Sequence, residues 1–95
     1  MHGLGANRRR GGPRPVEPAL LRQRFGAVLR RCRCEAGLST DVLGERCGLH
    51  RDEICKLEKA HREPKLSTIV RLARGLRVPP GYLLAEVDRA DGEGR

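Results

Sequence analysis

Aliphatic residues in this chain return every three or four positions, and Gly and Pro cut the pattern into short lengths. Leu21, Phe25, Val28, Leu29 and Cys32 keep that spacing, as do Leu66, Ile69, Val70, Ala73 and Leu76. Side chains recurring at this interval form one stripe of an α-helix. Pro18 suits a first turn, Gly37 and Gly48 supply stops, and Pro64 bars easy continuation. Five helical segments follow: residues 18–36, 40–47, 51–59 and 66–76, and a short one from about Pro80 carrying Tyr82, Leu83 and Leu84. Ser39 has the hydroxyl of an N-cap, and Asp41 complements the helix dipole behind it. No segment reads as a strand. The expected fold class is all-α, a compact bundle of five short helices.

The 95 residues suffice for one domain with one small core. With no Trp, one Tyr and one Phe, that core is aliphatic. Residues 1–18 are rich in Gly, Pro and Arg and are expected to form a disordered basic arm. Residues 19–87 form the domain, and residues 88–95 are expected to be a flexible tail. No apolar run approaches the ~18 residues that cross a bilayer, and the N-terminus lacks the apolar region of a secretory signal. The four cysteines, Cys32, Cys34, Cys47 and Cys55, contain no C-x2-C pair, so neither a zinc site nor a disulfide framework is indicated. Reduced thiols in the cytoplasm are expected, with Cys32 and Cys47 in the core and Cys34 and Cys55 more exposed.

The formal net charge is +8: +3 over residues 1–18, +6 over 19–87 and −1 over 88–95. An excess of this sign favours an acidic polymer as partner. Two short helices joined at Gly48 have the form of a helix-turn-helix, whose second helix enters the major groove of DNA. That second helix carries Arg51, Lys56 and Lys59 but also Asp52, Glu53 and Glu58. Advancing about 100° per residue from Ile54, Asp52, Cys55, Lys56 and Lys59 fall opposite the buried side. Arg51 and Glu53 fall on the flanks.

Residues 25–84 resemble the phage-repressor/Cro-like (XRE) helix-turn-helix family, lambda-repressor-like in fold. The resemblance rests on EAGLS, the turn CGLH, Ile54-x-x-Leu57-Glu58, the Pro64 loop and the closing LARGLRVPPGYLL, in that order. It implies a DNA-binding domain that acts as a homodimer on a two-fold operator. It implies that Glu58 is a structural acid paired with Arg33, and that Thr40 lies where the family often has a DNA-touching Gln. It puts Arg51, Asp52 and Lys56 at base-reading positions, Cys55 where a small polar residue is usual, and Lys59 and Arg62 where phosphate contacts are common. The chain departs from the family at His50 and Lys65, where Ser or Thr usually caps a helix, and at Arg77, where Gly usually ends one.

Arg51 and Lys56 either donate to guanine O6 and N7 or touch phosphate only. Asp52 either accepts from cytosine N4 or answers the helix dipole. The run Arg8–Arg10 with Arg14 has the chemistry to follow phosphates or enter a narrow minor groove. The expected function is a DNA-binding transcriptional regulator in the cytoplasm, associated with the nucleoid. The alternative is an antitoxin-like module that binds a partner protein and represses its own operon. No cofactor, metal or catalytic residue is expected, because His2, His50 and His61 assemble with no acids into a site. Tyr82, Leu83, Leu84 and Val87 either form a dimer surface or close the core.

Overall fold

The computed structural model describes residues 15–93. Within them lie five helices and no strand: α1 (Pro18–Glu35), α2 (Thr40–Cys47), α3 (Arg51–Glu58), α4 (Leu66–Leu76) and α5 (Pro80–Glu93). Expectations for Arg8–Arg10, Arg14 and the rest of residues 1–14 fall outside the described residues. α1 packs against α5 and α3, α2 against α3 and α4, and α4 against α5. Every helix contributes to one aliphatic core, in which Leu29, Leu43, Ile54, Leu57, Leu72 and Leu83 are fully buried.

Helix ends explain how so short a chain reverses direction four times. After α1, Gly37 donates to Cys34 and Leu38 to Arg33. After α3, Ala60 donates to Leu57 and His61 to Lys56; after α4, Arg77 donates to Arg74 and Val78 to Ala73. Each pair is a Schellman closure, which satisfies orphan carbonyls and requires a left-handed residue at the turn. Gly37 and Gly48 take that conformation with φ near 72° and 71°. Ala60 and Arg77 also take it, with φ of 65° and 62°, against the steric cost of a Cβ.

Two expectations change in the structure. Leu66, expected on the buried face of α4, is 75% exposed, and Leu72 fills the core instead. Leu66 starts α4 directly after the loop, where no neighbouring helix covers it. The sequence predicts a short last helix and a flexible tail from residue 88, yet α5 continues to Glu93. Charge holds the extension where apolar residues run out. Glu86 accepts from Arg31 of α1 at 2.6 Å and from Arg89, one turn on, at 2.9 Å. These hydrogen bonds, Arg89's foremost, hold the Glu86 carboxyl down to about 2.

Two outcomes are expected. Arg77→Gly relieves the left-handed strain and stabilises the fold by about 0.5–1 kcal/mol, seen as a higher Tm. The Glu86 contribution is complete above the ordinary carboxylate range and is lost as pH falls to about 2. Glu86→Gln therefore lowers stability at neutral pH, and its deficit against the parent shrinks over that acidic window in a pH series of urea unfolding.

Candidate nucleic-acid interface

α3 is set in place from behind by α1. Gly26 lies so close to the end of α3 that a Cβ there would sit 2.6 Å from the carbonyl oxygens of Leu57 and Glu58. That approach lets Arg33, two turns along α1, reach Glu58. Arg33 Nε donates to Glu58 Oε2 at 2.6 Å and Nη2 to Oε1 at 3.0 Å, while Nη1 donates to the Leu38 carbonyl at 2.9 Å. The side chains are only 12% and 7% exposed, so this two-point pair is nearly dry. The hydrogen bond to Glu58 raises the Arg33 guanidinium above its ordinary value and fixes its charge. One guanidinium thus ties the end of α1, the turn after it and the end of α3.

The start of α3 is held by an unexpected cap. His50 Nδ1 accepts the Asp52 amide at 3.1 Å, so an imidazole does what a hydroxyl does in Ser39, which accepts the Val42 amide at 3.1 Å. Asp52 and Glu53 occupy the first turn, where the helix dipole favours acids. Between these ends, Ile54 and Leu57 are buried. Arg51, Asp52, Lys56 and Lys59 are exposed, Cys55 is half-buried, and Thr40 is half-buried at the start of α2. Arg62 is exposed on the loop after α3.

Every acid of α3 has a nearby base. Glu58 faces Arg33; Glu53 faces Arg62 at 2.8 Å; Asp52 lies 4.0 Å from Arg51. Lys56 and Lys59 make no ion pair among the described residues. The open face of α3 therefore presents two uncompensated ammonium groups. Arg51 is loosely held, at 3.8 Å from Asp41 and 60% exposed, so water and salt screen it and it is free to move. Arg62, one of the residues expected at phosphate, donates to Glu53 at 2.8 Å.

Sequence reasoning gave no role to Lys65, Thr68 and Arg71 at this surface. They line an open groove of about 540 Å³ beside the turn Gly48–His50, together with Arg62. Lys65 and Arg71 are exposed and make no ion pair among the described residues. α4 begins in this groove without a side-chain cap, leaving first-turn N–H groups open to an acceptor. The signal was present in the sequence: a Lys directly after Pro64 and a base one turn and a half into the helix.

A short helix on a Gly48 turn, braced from behind and basic in front, is the geometry of a DNA-reading helix pair. Residues 24–87 match the family described as "Helix-turn-helix domain". The chain belongs to the helix-turn-helix family. That family supports DNA-binding transcriptional regulation. Solved structures are similar across most of the domain. The restriction-modification controller protein C.AhdI from Aeromonas hydrophila is 34% identical, with a TM-score of 0.64 over 65% of this chain and 94% of that one. The clp gene regulator ClgR from C. glutamicum is 22% identical, with a TM-score of 0.69 over 81% and 95%. The wild-type restriction-modification controller protein C.Esp1396I is 19% identical, with a TM-score of 0.74 over 79% and 97%. These last two show the shared fold. None of the curated proteins matches the sequence.

Within this helix-turn-helix protein the thiols divide by burial. Burial pushes the Cys32 and Cys47 thiols up, which keeps them protonated and unreactive. Cys34 and Cys55 are the more accessible pair, and all four cysteines are free. Glu58→Ala is expected to cost about 3 kcal/mol of stability, since it strands Arg33 without its acid. An unfolding free energy from urea titration within about 0.5 kcal/mol of the parent would mean that α3 is held without this pair.

Proposed function

We propose that this protein represses or activates transcription by binding a two-fold DNA operator as a homodimer, with α3 in the major groove. The observation that carries this reading is the sorting of charge on α3. Its acids lie beside Arg33, Arg62 and Arg51, whereas Lys56 and Lys59 face outward uncompensated. Arg51 and Lys56 are the base readers, suited to guanine O6 and N7. Asp52 sits at the tip, where its carboxylate accepts from cytosine N4 and repels other edges. Thr40 and Cys55 border the same groove and touch sugar and backbone. Lys59, Lys65 and Arg71 take phosphates, with the open first turn of α4 supplying N–H donors. Arg62 joins them by exchanging Glu53 for a phosphate. The basic run in residues 1–14 adds attraction that is mostly independent of sequence. The protein acts in the cytoplasm, on the nucleoid.

Selection from a random pool of duplex DNA tests the reading. The expected product is an enriched sequence with two-fold symmetry and half-sites about 34 Å apart. Asp52→Ala then relaxes preference at one base pair of each half-site by about 1–3 kcal/mol. Absence of enrichment over background leaves a protein-binding role, and an unchanged site in Asp52→Ala assigns Asp52 to the helix start alone.

A further inference from the structure

Resting on the homodimer reading above, we infer that the second copy docks on a groove between α1, α4 and α5, with Arg22 of one copy facing Glu63 of the other. The groove is about 140 Å³, and Leu21, Pro64, Ile69 and Leu84 give it an apolar floor and wall. Its apolar character continues beyond the rim. Leu84 is 47% exposed, and Leu66, one turn before Ile69 on α4, is 75% exposed. Exposed aliphatic residues on adjoining elements mark a surface that association would cover. Of the other α5 residues considered for a dimer surface, Leu83 belongs to the core at 0% exposure, Val87 lines the groove at 7%, and Tyr82, at 40%, lies outside its lining.

Charge identifies the occupant. Arg22 and Glu63 line this same groove, and neither makes an ion pair among the described residues. In a two-fold contact, residue i of one copy meets residue j of the other, and j meets i. A surface carrying one free base and one free acid across an apolar strip is therefore complementary to itself. Position supports the same occupant. Glu63 also lines the groove beside the turn before α3, so this contact adjoins the surface proposed for DNA.

Charge reversal tests this without disturbing the core. Sedimentation equilibrium of the full chain is expected to show self-association weakened at least tenfold in Arg22→Glu and in Glu63→Arg. The double reversal restores it. An equimolar mixture of the two single variants associates, because both cross-pairs then become attractive. Leu84→Ser weakens association in the same way, and circular dichroism shows each variant folded. Methyl chemical shifts of Ile69 and Leu84 follow protein concentration. A dimer indifferent to all three substitutions places the second copy elsewhere and overturns the inference. So does a groove whose methyl shifts ignore concentration but respond to deletion of residues 1–14, because the chain's own arm then fills it. A parent chain that stays monomeric at tens of micromolar, with or without its selected DNA, also overturns it. Enrichment of a single half-site by that monomer would leave the DNA reading standing, whereas no enrichment would remove it separately.

Discussion

A single guanidinium decides how this protein presents α3, the second helix of its helix-turn-helix. Arg33 spends three of its N–H groups on two structural partners, the Glu58 carboxylate and the Leu38 carbonyl. Glu58 is the last residue of α3 and Leu38 follows the turn after α1, so the pair fixes both elements together. α3 has only eight residues and buries only Ile54 and Leu57, which is too little to orient it by packing alone. Gly26 makes the arrangement possible, because any side chain there would collide with the backbone of α3. A planar fork meeting a carboxylate at two points sets an angle as well as a distance, which a Lys in the same place would not do.

Acids on a DNA-reading helix look like a contradiction only when charge is counted along the chain. In three dimensions each acid has a local task. Glu58 is scaffold, Glu53 parks Arg62, and Asp52 lies at the dipole-favoured start beside His50 and Arg51. The residual positive face is small, so attraction to the polyanion is spread over the loop after α3, the start of α4 and the rest of a chain with net charge +8. Long-range attraction from distributed charge and discrimination from one short helix are then separate properties.

Much of this was legible in the sequence because it rests on periodicity and punctuation. Helix boundaries at Pro18, Thr40, Cys47, Leu66 and Leu76 could be read from proline, glycine, Ser39 and the aliphatic stripe. What was hidden has physical reasons. Ala60 ends a helix in a left-handed conformation that an alanine does not advertise, whereas Arg77 stands where a Gly is usual. His50 as an N-cap depends on a ring nitrogen turned back to its own helix, which composition does not reveal. The pairing of Arg62 with Glu53 needs the loop to fold back over α3. α5 outlasts its apolar residues because Glu86 bridges Arg31 and Arg89, a contact between the two ends of the domain. Leu66 fitted the buried stripe of α4, but its place at the first position leaves it outside the layer that covers the others.

Guanine N7 lies in the major groove, so dimethyl sulfate protection of a selected duplex tests most directly whether α3 reads that groove. Two clusters of protected guanines about ten base pairs apart are expected, and protection at particular guanines within each should disappear in Arg51→Ala or Lys56→Ala. Bound duplex with every guanine N7 still reactive, or protection confined to adenine N3 in the minor groove, would contradict an α3 seated in the major groove.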